Sequence, residues 1–276
     1  MITAAEAGTV SLVDEFARAG RLLPKAGTGP WNDLVHGVRS TVAAGTANHV
    51  ILETEALFPE SLGRALLQVF GEFPSYERQG ARMIETVHDG MGALPRLSAQ
   101  QALNLRAAGA YLNYHRRWTN GWMRTAFNER VMAPSERTPG HGIDQMLLAQ
   151  AFRGTLPQGP WHVDADALNS VTTLLGTGTG LIPRTPQSFL GRDWDRTVFS
   201  TVEAHEVTEV LPYAQNVPRG RVVVFAAADH RAVTTPNGDL PPLSPLIHGA
   251  PKNVGDRLAI IEPFATRSLV PPEIIP

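Results

Sequence analysis

Trp161-His162-Val163-Asp164 sets an imidazole and a carboxylate two positions apart. Residues two apart in a β-strand leave the same face, so both side chains could reach one metal ion. Joined by a second, distant histidine, such a pair makes the donor set that suits Fe(II) and leaves other coordination positions open. Taken alone the pair is weak: among nine histidines one such spacing arises by chance, and a His and an Asp at a strand end is the plain alternative. The residues that follow carry more weight.

Downstream come three runs in order: Gly220-Arg221-Val222-Val223-Val224-Phe225, then Leu246-Ile247-His248-Gly249-Ala250-Pro251, then Gly255-Asp256-Arg257-Leu258-Ala259-Ile260-Ile261. This order resembles the double-stranded β-helix (jelly-roll, cupin-like) core of the Fe(II)/2-oxoglutarate-dependent dioxygenases. In that superfamily a His-x-Asp precedes a glycine-started apolar strand, a distal His, and a basic residue on the last core strand that pairs with the far carboxylate of 2-oxoglutarate. The resemblance implies His162, Asp164 and His248 as metal ligands and Arg257 as the carboxylate partner. It further implies Fe(II) and 2-oxoglutarate as cofactors and O2 as co-substrate. It spans about residues 145–264; the first 140 residues match no family pattern.

Two alternatives stay open within that reading. In Phe225-Ala226-Ala227-Ala228-Asp229-His230-Arg231 the histidine follows the apolar strand closely, which makes His230 a rival third ligand. His248 is preferred because its interval to Arg257 matches the family's. Arg257 offers a planar, permanently charged fork for a carboxylate, although an exposed arginine at a strand start would look the same in sequence. Arg184 and Arg231 are the next candidates for the anchor.

Other runs are less specific. Gly176-Thr177-Gly178-Thr179-Gly180 lacks both the third glycine of a dinucleotide fingerprint and the lysine of a P-loop, and reads as a hairpin turn. Of the preceding Thr172 and Thr173, one would face the interior; Thr173 is a candidate co-substrate contact, although strand propensity accounts for both. His205-Glu206-Val207-Thr208-Glu209 lacks the second histidine of a zinc-protease motif and reads as a solvated strand face. His115-Arg116-Arg117-Trp118 reads as the exposed face of a helix.

The elements that must position these residues fall into two halves. Residues 1–140 read as mainly helical. Leu12, Val13, Phe16 and Ala17 keep helix spacing, as do Leu62, Ala65, Leu66, Val69 and Phe70 after Pro59. Ser98 with Gln101 forms a capping box opening a long helix through Leu103, Ala107, Ala110, Tyr111 and Tyr114. Residues 141–276 read as short strands at Met146–Phe152, Trp161–Val163, Val171–Leu175, Val198–Val210, Val222–Phe225 and Leu258–Ile261, a spacing that suits a sandwich or barrel. The expectation is one α+β domain over 1–276, with the helices on one side of a sheet and Pro236–Pro251 as an ordered loop.

Bulk properties bound the function. The 276 residues carry 24 Lys plus Arg against 26 Asp plus Glu, a net charge of −2, so no general positive field draws nucleic acid or anionic membrane. A small-molecule substrate is expected. Absence of cysteine excludes thiolate metal sites, iron–sulfur clusters and a Cys nucleophile. The N-terminal residues lack a signal-peptide pattern, and a cytoplasmic location is expected. With Asp164 present rather than Gly or Ala, the resemblance implies hydroxylation, desaturation or ring formation in preference to halogenation. The Ala-, Arg-, Gly- and Pro-rich composition fits small-molecule tailoring in a GC-rich bacterium. A cupin-like metalloenzyme without 2-oxoglutarate, or a non-catalytic β-sandwich binding module, are the other classes compatible with these residues.

Overall fold

A computed structural model of the chain describes residues 11–71, 76–78, 81–84, 97–132, 148–152, 161–164, 167–182, 200–201, 214–227, 243, 245–250 and 255–266. Four α-helices occur among them: α1 (Leu12–Leu22), α2 (Gly29–Arg39), α3 (Glu60–Gly71) and α4 (Ala99–Ala126). The strands are β1 (His49–Leu52), β2 (Tyr76–Arg78), β3 (Ala81–Ile84), β4 (Val131–Met132), β5 (Leu148–Phe152), β6 (His162–Val163), β7 (Leu168–Leu175), β8 (Gly180–Ile182), β9 (Ser200–Thr201), β10 (Gln215–Asn216), β11 (Val222–Ala226), β12 (Ile247–Gly249) and β13 (Arg257–Thr266). The fold is α+β, and among the described residues every strand pairing is antiparallel.

An eight-stranded sheet runs β1-β11-β7-β13-β5-β3-β2, with β4 paired to β13, and a five-stranded sheet runs β10-β8-β12-β6-β9. Helices cover one face of the large sheet. Leu168, Leu174, Val222, Val224, Leu258, Ile260 and Phe264 share a core with residues from all four helices. The other face meets the small sheet, where Val171, Val223, Phe225 and Ala259 pack with Leu181 of β8. Strands covered on both sides need apolar residues at every position. This is why Val222-Val223-Val224-Phe225-Ala226 shows no alternation and is buried throughout. At the helix interface Gly63 lets α3 approach β7, since a Cβ there would lie 2.8 Å from the Leu174 carbonyl oxygen.

Helix α4 is the long element on which the other helices rest: it packs against α1, α2, α3 and β4. It opens as expected, with the Ser98 hydroxyl accepting from Gln101 N–H and the Gln101 side chain accepting from Ser98 N–H. It closes where Asn128 and Glu129 adopt positive φ of 50° and 61°, a left-handed turn that cannot continue a helix. Its buried side differs from the expected stripe. Leu103 and Tyr114 are 49% and 44% exposed, whereas Asn104, Leu105, Ala108, Leu112 and His115 point inward with Tyr111. With polar residues on the packed side and apolar ones on the open side, the apolar spacing of this helix is a poor guide to its orientation.

The expected strands are present but longer at β7 and β13. β1 to β3, from the first half of the chain, join the large sheet as well. Of the expected Val198–Val210 strand, Ser200–Thr201 forms β9; residues 202–210, including His205 and Glu206, lie outside the described residues. The Gly176–Gly180 run is not a hairpin turn. β7 belongs to the large sheet and β8 to the small one, so the run carries the chain from sheet to sheet. Gly176, at φ +79°, has no room for a Cβ, which would come 2.5 Å from the Asp256 carbonyl oxygen. At the same place β13 slips register against β7 between Leu258 and Ala259, an irregularity of the kind that re-aims side chains beside sites.

Candidate metal centre

Strand β12 lies beside β6 with His248 directly opposite His162. Cross-strand neighbours project from the same face, so the two imidazoles meet with ring centroids 4.4 Å apart. Asp164 follows β6 and turns its carboxylate into the gap. Its Oδ1 lies 3.2 Å from His162 Nε2 and its Oδ2 lies 3.2 Å from His248 Nε2. One ligand atom from each of the three residues falls within 4.8 Å of the others. Phe225, a neighbour of Asn169 across β11 and β7, backs the His248 ring at 4.6 Å between centroids.

The electrostatics follow from burial and these contacts. Burial by itself would raise the pKa of Asp164, but hydrogen bonds from His162 and His248, reinforced by their charge, hold the carboxyl well below the usual carboxylate range. The carboxylate is therefore ionised and presents two oxygens to the imidazoles, the protonation state a metal requires.

The same cavity, about 140 Å³ in volume, reaches Arg257. A void of about 150 Å³ holds a benzene-sized molecule, so a small ligand fits here. Arg257 begins β13 and is 2% exposed. Its Nε donates to the Thr177 carbonyl at 2.9 Å and its Nη2 to Thr179 Oγ1 at 3.4 Å. Burial pushes its pKa down to about 10, which leaves the guanidinium charged at neutral pH. The sheet-crossing run Gly176–Gly180 thus has a task that a reading as a simple turn does not anticipate: it orients the arginine.

The structure brings His162, Asp164, His248 and Arg257 to one cavity. Thr173 stands one step away. Its hydroxyl lies 3.5 Å from that of Thr179, and it is Thr179 that lines the cavity. The rivals His230, Arg184 and Arg231 lie outside the described residues, as does most of Pro236–Pro251. His115-Arg116-Arg117-Trp118 is not an exposed face: His115, Arg116 and Trp118 are buried between α4 and its neighbours.

Two polar lining residues escape the sequence reading, Asn169 and Thr179. Asn169 had a usable signal, because asparagine is disfavoured inside strands and this one interrupts an otherwise strand-forming run. Thr179 had only a glycine-rich context.

No family model matches the chain, and no curated protein matches it. Among solved structures it is similar to a dioxygenase for auxin oxidation from rice, at 13% identity and a TM-score of 0.47, over 93% of this chain and 86% of that one. It is similar to EctD from S. alaskensis with 2-oxoglutarate and 5-hydroxyectoine, at 14% identity and 0.44, over 90% and 81%. A third is an oxidoreductase of the 2OG-Fe(II) oxygenase family from Burkholderia pseudomallei, at 10% identity and 0.40, over 88% and 93%. All three likenesses are remote, with sequence identities of 10–14%.

Proposed function

We propose that the chain is a non-haem Fe(II), 2-oxoglutarate-dependent oxygenase acting on a small molecule by hydroxylation, desaturation or ring formation. One observation carries this reading: two imidazoles and an ionised carboxylate converge on a cavity whose wall also holds a buried, charged arginine. The donor set fits Fe(II), since His, His and carboxylate on one side leave positions open for a bidentate ligand and O2. On this reading the two facing sheets are the strands of a double-stranded β-helix, and residues 1–276 form one domain.

His162, Asp164 and His248 would hold the iron. Bound there, iron would couple O2 reduction to oxidative decarboxylation of 2-oxoglutarate and oxidation of the substrate. The chain's own residues bind, orient and exclude. Arg257, fixed by Thr177 and Thr179, would take the far carboxylate of 2-oxoglutarate through paired hydrogen bonds. Val171, Ile261 and Pro263 line the cavity with apolar surface and limit the water beside it. Arg257 also favours this reading over a cupin-like enzyme that needs no second anionic ligand.

The test is Fe(II)-dependent release of succinate from 2-oxoglutarate by the purified chain, together with measured metal binding. Both together support the proposal. Metal binding without use of 2-oxoglutarate supports the cupin-like reading, and no metal binding supports a binding module. A place in bacterial natural-product biosynthesis belongs to the same proposal and rests on the Ala-, Arg-, Gly- and Pro-rich composition.

A further inference from the structure

Asn169 occupies a position where an apolar residue would pack more easily. It is 1% exposed on β7, between Phe225 of β11 and Pro263 of β13, on the face that looks toward the small sheet. Its Nδ2 donates to Asp164 Oδ2, and its own Oδ1 is buried with no hydrogen-bond partner among the described residues. A buried acceptor left unsatisfied costs stability, so folding alone gives no reason to keep an amide here.

The Asp164 carboxylate has three neighbours: His162 on Oδ1, and His248 and Asn169 on Oδ2. A metal ion would compete with the carboxylate for both imidazole nitrogens. It would not compete for an amide N–H, which is no ligand. Among the described residues, the Asn169 contact is therefore the hold on Asp164 that metal binding leaves in place, and it ties the segment after β6 to the middle of the large sheet.

We propose that Asn169 is a positioning residue for the metal centre, acting through Asp164: its N–H fixes the rotation of the carboxylate and thereby sets metal affinity. This rests on the reading of His162, Asp164 and His248 as a metal site. Partners of this kind that orient a ligand typically change affinity ten- to a hundredfold when lost.

Two variants separate positioning from packing. Asn169→Leu fills similar space with no donor and no orphaned acceptor; Asn169→Asp keeps the shape but replaces the donor with a second carboxylate facing Asp164. The measurements are Ni(II) affinity by titration calorimetry and the melting temperature of the metal-free chain. The expected result is Ni(II) affinity weakened about ten- to a hundredfold in both variants, with Asn169→Leu melting at or above the native chain. Native-like Ni(II) affinity in either variant overturns the role of Asn169. Melting well below native in both makes Asn169 a packing residue and overturns it equally. If the native chain itself binds no Ni(II) or Fe(II), the metal-site reading fails first, and this inference with it.

Discussion

Two histidine–carboxylate groups among the described residues lie on opposite sides of β13, and only one of them is built like a site. On the side facing the small sheet, Arg257, Ile261 and Pro263 line the cavity that holds His162, Asp164 and His248. On the helix side, Glu262 meets His115 of α4, with His115 Nδ1 3.4 Å from Glu262 Oε1. That second group is the more deeply buried, with His115 at 1% exposure and Glu262 at 3%, against intermediate exposure for His162 and Asp164. Yet both His115 ring nitrogens, Glu262 Oε1 and the Tyr111 hydroxyl make no hydrogen bond among the described residues. The imidazole is instead wrapped by rings: Phe58, Trp118 and Tyr111 stand 5.5, 5.7 and 6.2 Å away between centroids. Burial, with the charge of Glu262, also pushes the Tyr111 hydroxyl's pKa up and keeps it neutral.

The difference teaches that burial and residue type do not make a metal centre. The first group brings three donors from two elements onto one spot beside open volume. The second has two such groups pressed together inside an aromatic shell. The first should therefore answer to metal and the second to stability.

The largest expected effect is at Asp164. Asp164→Ala should weaken Fe(II) or Ni(II) binding by more than about a hundredfold, given that outer partners alone cost ten- to a hundredfold, and should abolish succinate release. Melting of the metal-free chain should fall as well, because His162, His248 and Asn169 each lose a partner. Titration calorimetry and thermal melting check both halves, and native-like metal affinity would erase the contrast with His115 and Glu262.

Next comes Arg257. Arg257→Ala should raise the KM for 2-oxoglutarate by tens-fold to a hundredfold, about 2–3 kcal/mol for a charge-assisted two-pronged contact, and leave the KM of the primary substrate nearly unchanged. Steady-state kinetics with each substrate varied in turn is the check. An unaltered 2-oxoglutarate dependence would place the anchor on another residue.

On the helix side the effect should be purely one of stability. Glu262→Leu removes one member of a buried histidine–carboxylate contact and should lower the melting temperature. Adding His115→Leu should recover that loss, since replacing both members of a buried pair by apolar groups is commonly neutral or stabilising. Metal affinity should stay native in both variants. A metal-binding defect in the double variant, measured by the same calorimetry, would mean that the two sides of β13 are coupled.

The smallest effect is expected at the start of α4. Ser98→Ala removes an N-cap hydroxyl and should lower stability by about 1 kcal/mol, read by denaturant unfolding, with metal affinity unaffected.

Some of this is local and so was readable along the chain. The shared face of His162 and Asp164 follows from the two-residue period of a strand. The start of α4 follows from a hydroxyl and an amide three residues apart. The buried strand at Val222–Ala226 follows from an uninterrupted apolar run. The long-range order of His-x-Asp, distal His and Arg was legible only as a resemblance to a family pattern.

Other features exist only once distant segments meet. The pairing of β12 with β6 sets His248 opposite His162, and no local rule reaches that far. Asn169 gains its contact because β7 passes behind Asp164, and Thr179 gains its contact because a glycine-rich run crosses between sheets beneath Arg257. His115-Arg116-Arg117-Trp118 looks like a solvated helix face in sequence, yet the packing of α4 against the other helices, with His115 against Glu262 of β13, buries three of the four. Periodicity ranks the faces of a helix by average polarity, and a long helix held on several sides buries whatever lies on those sides. What the chain order determined was which groups are able to meet; what tertiary packing decided was which of them do, and which meeting place has room for a ligand.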